Sequence, residues 1–185
     1  MTKPDITNQT LPLSIITGGQ TGVDTGALDA ARNEGYRWGA LLPYGYKREA
    51  ELPLFMAKEK GSRVVALDCQ KYDQRTKEVI KRADACLVIQ EDGEDTPGTV
   101  LTIKLAMDAG LPLWRFMNID NSSMYKAESH AIAYWLRSLV HLYGDISLMV
   151  AGPRAGKWKE GEERAFGIVS YILRAYREDV VVRPH

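Results

Sequence analysis

"SIITGGQTGVDTGALDAA", residues 14–31, opens as an apolar run, breaks into glycines and threonines, and resumes at helical spacing. With Leu13, its beginning gives the strand "LSIIT", and Asp24 to Glu34 give a helix that stops at Gly35. Gly18, Gly19 and Gly22 lie between the two. Glycines let the backbone turn tightly and bring its N–H groups close to an anion, which a helix N-terminus then favours. Gln20 and Thr21 add side-chain donors. The spacing is neither G-x-G-x-x-G nor a P-loop, which needs a Lys-Ser/Thr pair missing here. Read as a bare turn, the same stretch makes Asp24 the helix cap rather than a catalyst.

The same alternation continues along the chain. "WGALLP" and "RVVALD" read as the second and third strands, and Asp73 as the N-cap of a helix running to about Arg82. "ACLVIQ" is a continuous apolar strand of the kind buried on both faces of a parallel sheet. A helix from about Thr99 to Ala109 ends at Gly110, and "LPLWRF" follows as a strand. Ile132, Trp135, Leu136, Leu139, Val140 and Tyr143 mark one face of a helix before the last strand, "ISLMVAG". Ala165, Ile168, Val169, Ile172, Leu173 and Tyr176 give the closing helix the same core-facing stripe. Strands alternating with helices predict an α/β fold: a doubly wound, mostly parallel Rossmann-like sheet with helices on both faces.

The 185 residues fit a single domain, with residues 1–12 and 180–185 expected as loose termini. A zero net charge and the lack of a basic run argue against a long nucleic acid as partner. No apolar stretch reaches the roughly 18 residues a membrane helix needs, and the N-terminus lacks a signal-peptide core. Cys69 and Cys86 lie in or near apparent buried strands, which fits a reduced, cytoplasmic protein. The three histidines show no ligand spacing with either cysteine, so no structural metal is expected.

In open α/β sheets, ligands bind beyond the carboxyl ends of the strands. Four loops of unusual composition leave such ends: "TGGQTGVD", "PYGYKREAE", "EDGEDTPGT" and "AGPRAGKW". All four are expected to open onto one edge. In the third, Pro97 and Gly98 shape a turn, and Thr99 and Thr102 offer hydroxyls at the next helix start. In the fourth, Arg154 can match a phosphate bidentately and Lys157 supplies a point charge. Lys47, Arg48, Glu49 and Glu51 in the second also read as a local salt-bridge cluster. No nucleophile elbow is present, and no histidine falls in the four loops. The carboxylates of Asp24, Glu49, Glu51, Asp92, Glu94 and Asp95 are acid or base candidates that sequence does not pair.

"SIITGGQTGVDTGALDAA", "RTKEVIKRADACLVI", "PGTVLTIKLAMDAGLPL" and "LMVAGPRAGKW" together resemble the molybdenum-cofactor carrier family, in order, from about residue 14 to residue 174. That family belongs to the Rossmann-like SLOG superfamily, alongside cytokinin-activating phosphoribohydrolases and DNA-processing proteins. The resemblance implies a nucleotide-like or pterin-phosphate ligand and a homo-oligomer, dimer or tetramer. It places ligand contacts at Gly18, Gly19, Gln20, Thr21 and Gly22, then at Arg48, Arg75, Gly98, Thr99, Thr102, Arg154 and Lys157; Asp24 joins them as a candidate. Two departures stand out. The phosphoribohydrolases carry P-G-G-x-G-T-x-x-E, and "TPGTVLT" puts Thr102 where their glutamate belongs. The family's "SKW" is "GKW" here, with Gly156 replacing a hydroxyl.

The leading expectation is therefore a protein that binds and hands over molybdenum cofactor, or a related phosphorylated heterocycle, to a recipient molybdoenzyme. The alternative is a nucleotide or N-glycosidic hydrolase working through another carboxylate. A single-stranded DNA module fits poorly, because basic and aromatic residues do not interleave.

Overall fold

The computed structural model describes residues 11–91, 95–116 and 122–181. Six strands, β1 (Leu13–Thr17), β2 (Arg37–Leu42), β3 (Val64–Ala66), β4 (Ala85–Ile89), β5 (Leu113–Phe116) and β6 (Ile146–Ala151), form one sheet. Their order is β3-β2-β1-β6-β4-β5, and every pairing is parallel. Between them run α1 (Val23–Asn33), α2 (Leu54–Ala57), α3 (Tyr72–Ile80), α4 (Pro97–Asp108) and α5 (Ser122–Tyr143), and α6 (Gly161–Val181) closes the chain. This is the expected Rossmann-like α/β sheet.

Period-two alternation sends each strand's side chains to two cores. Leu148 and Val150 of β6 join the core built with α1, α5 and α6, whereas Met149 and Ala151 join Val79, Ile80 and Ala106 on the α3–α4 side. A strand with both faces covered has no solvent side, which is why all five residues of β4, "ACLVI", are buried. α1 and α6 pack so closely that a Cβ built on Gly26 would lie 2.1 Å from the Glu162 carbonyl oxygen. Gly26→Ala is therefore expected to destabilise by about 1–3 kcal/mol through overpacking. Melting should show it as a fall of roughly 2–12 °C; an unchanged midpoint would mean the helices separate freely.

The chain winds outward from β1 to β2 and β3, crosses to β4 and β5, and returns last to fill the centre with β6. Begun at β6, the order would read 4-3-2-1-5-6, with its first strand at the switch between the two windings. The crevice of such a sheet lies beyond the carboxyl ends of the central strands.

Helix starts differ from the expected positions. Asp24 and Asp73 are not caps: α1 is capped by Gly22 and α3 by Lys71, neither through a side chain, and both aspartates sit in the first turn. Carboxylates there still meet the positive end of the helix dipole. α4 begins at Pro97 rather than Thr99, with the Thr96 hydroxyl accepting from the Thr99 N–H at 3.3 Å. Tyr143, expected on the buried stripe of α5, is 69% exposed, because the last turn runs out past the core before Gly144. The short α2 and a 3-10 turn at Tyr44–Tyr46 were not legible as elements. The expected loose ends fall mostly outside the described residues; within them, Leu11 packs on the core and the Pro12 carbonyl accepts from the Ile146 N–H.

Candidate functional site

A cleft of about 380 Å³ opens at the carboxyl edge of the sheet. The loop after β1 contributes Gly18, Gln20 and Asp24, and the loop after β6 contributes Gly152, Arg154 and Lys157. The start of α4 supplies Thr96, Pro97, Gly98, Leu101 and Thr102. Three of the four expected loops thus converge. The loop after β2 lends no lining residue; its place is taken by the start of α3, with Tyr72, Asp73, Arg75 and Thr76. Met149 and Ala151 of β6 line the cleft beneath them.

Arg75 and Asp24 form an ion pair within this cleft. Arg75 Nη1 lies 3.4 Å from Asp24 Oδ2, and the residues are 9% and 7% exposed. The same Oδ2 accepts the Gln20 N–H at 3.1 Å. The guanidinium lies directly over Gly18, where a Cβ would fall 1.0 Å from Nη1. A glycine at this position is what gives Arg75 its seat. Burial pushes the Asp24 carboxyl above its ordinary value, outweighing the opposing pull of Arg75, the Gln20 N–H and Arg48. Arg48 does not line the cleft; its Nη2 donates to Thr25 Oγ1 at 2.9 Å and its Nη1 points at Met56 Sδ. It supports Asp24 from behind.

Gly19, Thr21, Gly22 and Thr99 also stand behind the lining. Gly22, at φ 76°, is the close approach between two loops: a Cβ there would sit 2.6 Å from the Pro153 carbonyl oxygen. Thr21 Oγ1 donates to Glu49 Oε2 at 2.7 Å and accepts the Ala155 N–H at 3.2 Å. Glu49 Oε2 also accepts the Gly156 N–H at 3.1 Å, and its Oε1 is 3.7 Å from Arg154 Nε. Gln20 Oε1 completes the brace by accepting from the Thr21 and Glu49 N–H groups, each at 2.9 Å. One carboxylate therefore pins the loops after β1, β2 and β6 together. Gly156 leaves room for it, since a Cβ there would come within 2.4 Å of Glu49 Oε1.

These bonds, led by those from the Thr21 hydroxyl and the Gly156 N–H, hold the Glu49 carboxyl below its ordinary 4.5, with Arg154 and Lys157 adding to them against burial. A carboxyl depressed in the folded state stabilises fully above the ordinary value and loses that contribution as pH falls through the folded one. The brace is thus expected to loosen below pH 4.5. Glu49→Gln should flatten the acid limb of a melting-temperature profile; identical profiles would show that the brace carries no charge-dependent stability.

At the start of α4, Thr102 Oγ1 donates to the Gly98 carbonyl at 3.0 Å, and Thr96 and Thr99 share a hydroxyl contact of 2.9 Å. Thr96 was missed as a site residue, although a threonine followed by proline at the first helical position is a readable start signal. Tyr72, Asp73 and Thr76 were missed because nothing local marks the β3–α3 loop. Asp95 accepts from Gln90 and pairs with Arg115, whereas Asp92 and Glu94 lie outside the described residues. Cys86 is buried and its thiol is pushed up to about 12 by burial; Cys69 is also free.

Three cations, two carboxylates, threonine hydroxyls and an apolar wall of Leu101, Met149 and Ala151 thus face one space. Among the described residues no group of three or more His, Cys, Asp or Glu side chains is placed to hold a metal ion, and no helix is long and apolar enough to cross a membrane. The cleft thus offers charged, hydrogen-bonding and apolar surface side by side to a small ligand.

No curated protein matches the chain. Among solved structures, the chain is similar to a "Putative molybdenum carrier protein" from Syntrophus aciditrophicus SB, with 26% identity and a TM-score of 0.68 over 88% of this chain and 93% of that one. A "putative Short-chain dehydrogenase/reductase" from Sinorhizobium meliloti 1021 matches at 18% identity and a TM-score of 0.39, over 92% of this chain and 90% of that one. The model of the circularly permutated YpsA SLOG family matches residues 15–173. A sheet whose last strand fills its centre, wound around a glycine-loop cleft, is accordingly that of a member: the chain belongs to the circularly permutated YpsA SLOG family.

Proposed function

We propose that this protein binds and carries molybdenum cofactor or a related phosphorylated heterocycle in the cleft at the carboxyl edge of its sheet. The observation that carries the reading is the convergence of Gly18, Gln20, Asp24, Arg75, Gly98, Thr102, Arg154 and Lys157, drawn from separate loops, on one cleft with an apolar wall. The similarity to a solved structure named as a molybdenum carrier supports the same ligand class. Gly19, Thr21, Gly22, Arg48 and Thr99 act as supports behind the ligand contacts. In this reading the metal travels on the ligand, and the protein protects and hands it over without covalent chemistry. Thr102, where the phosphoribohydrolase signature has glutamate, favours carrying over hydrolysis.

The recipient is a molybdoenzyme, and the carrier works in the cytoplasm as a homo-oligomer. Calorimetry with molybdopterin and with nucleoside monophosphates tests the binding. A dissociation constant of about 1 µM or below is expected, corresponding to roughly −8 kcal/mol, with phosphate competing and no free base released. Binding of neither ligand class, or steady release of free base, overturns the reading.

A further inference from the structure

We propose that Asp24 and Arg75 read the hydrogen-bonding edge of the ligand's ring, and that the ligand's phosphate is held by Arg154 and Lys157 instead. This rests on the carrier reading above and deepens it. Among the described residues, the pair uses only Asp24 Oδ2 and Arg75 Nη1 in hydrogen bonds. Asp24 Oδ2 takes the Gln20 N–H and Arg75 Nη1, while Oδ1 has no hydrogen-bond partner among the described residues, and Asp24 lines the cleft. Arg75, which also lines the cleft, has no hydrogen-bond partner for Nη2 or for its buried Nε among the described residues. The two residues, each under a tenth exposed and joined through Oδ2 and Nη1, thus bring to the cleft lining an acceptor and a donor that the pair itself does not use.

That pair complements a ring edge with an adjacent N–H and C=O, the cyclic amide of a pterin or a guanine. A phosphate suits it poorly. Its oxygens are acceptors and carry negative charge, so Arg75 would attract it while the adjoining Asp24 carboxylate would repel it. Arg75 is also already neutralised by its partner. The loop after β6 is different. Lys157 forms no ion pair among the described residues, and the half-exposed Arg154 meets only Glu49 there, at 3.7 Å. These two side chains keep positive charge to offer an anion. Arg75, which the motif resemblance places among the ligand contacts without a role, becomes a ring-reading residue.

The two roles separate when ring and anion are measured apart. Pterin without a phosphate is titrated by fluorescence and inorganic phosphate by calorimetry, on the wild type, Asp24→Asn and an Arg154→Ala/Lys157→Ala double variant. The expected result is a loss of pterin affinity of at least about 10-fold in Asp24→Asn, with phosphate binding unchanged or tighter; such a loss corresponds to one charge-assisted hydrogen bond. The double variant should show the reverse. Should D24N fail to fold, Arg75→Lys, which keeps the charge and loses the fork, is expected to weaken pterin alone. The inference is overturned if D24N weakens phosphate as much as pterin, leaves pterin binding untouched, or if adenine binds the wild type as tightly as pterin. Wild-type protein that binds neither pterin nor phosphate overturns the carrier reading itself.

Discussion

Gly18→Ala is expected to lower affinity for a phosphorylated heterocycle by at least about 10-fold while the protein still folds, the loss being that of a charge-assisted hydrogen bond of ~1.5–3 kcal/mol. The added methyl would occupy the place of Arg75 Nη1, only 1.0 Å away. What yields is the far end of a flexible side chain rather than backbone, and Gly18 has no positive φ that an alanine would strain. The sheet therefore survives, and Arg75 leaves its seat. Its partner Asp24 then faces the cleft with only the Gln20 N–H and the field of Arg48 to support its charge. The effect belongs to Arg75 and not to the glycine's flexibility, so it should be non-additive. Combined with Arg75→Ala, Gly18→Ala is expected to add almost nothing to the loss. A Gly18→Ala protein that binds like the wild type would displace Arg75 from its assigned place.

How much of this could be read from the chain depends on how far each feature reaches. The strands were legible because a parallel strand covered on both faces leaves a continuous apolar run, as "ACLVI" does at residues 85–89. The glycine loops were legible because their conformation restricts residue type locally, as at Gly22. Helix starts were less so. Asp24 and Asp73 look like caps in the sequence, but Gly22 enters α1 in a conformation that leaves Asp24 free to reach back to the Gln20 N–H. Thr21, Gly22, Arg48 and Thr99 were named from the sequence as ligand contacts, but their bracing role was not legible, because it is tertiary. Glu49 bonds Thr21 across 28 residues and Gly156 across 107, and Arg75 meets Asp24 across 51. No spacing rule connects such positions. Motif resemblance named Arg75 as a contact, and only the geometry shows that it is already engaged by a carboxylate.

That engagement predicts an asymmetric response to mutation. Asp24→Leu should destabilise by about 3–5 kcal/mol, because it strands a buried charge. At roughly 2–4 °C per kcal/mol for a chain of this size, melting should fall by about 6–20 °C. It leaves Arg75 without its carboxylate and removes the negative charge that offsets Arg48, whose own pKa burial already lowers. Arg75→Met should cost less. Asp24 then keeps the Gln20 N–H and the field of Arg48, and a carboxyl whose pKa is already raised by burial can relieve itself by taking a proton. The raised pKa also says that Arg75 only partly offsets the cost of burying Asp24. Replacing both partners should therefore recover most of the loss, to within about 2 kcal/mol of the wild type, since apolar side chains often substitute for a buried ion pair at little net cost. Denaturant melts of the two single variants and the double variant close the cycle. Equal costs for the single variants, or a double variant as unstable as their sum, would show that Asp24 and Arg75 act independently. If the recovered double variant still fails to bind pterin, this pair is held at the cleft for the ligand and not for the fold.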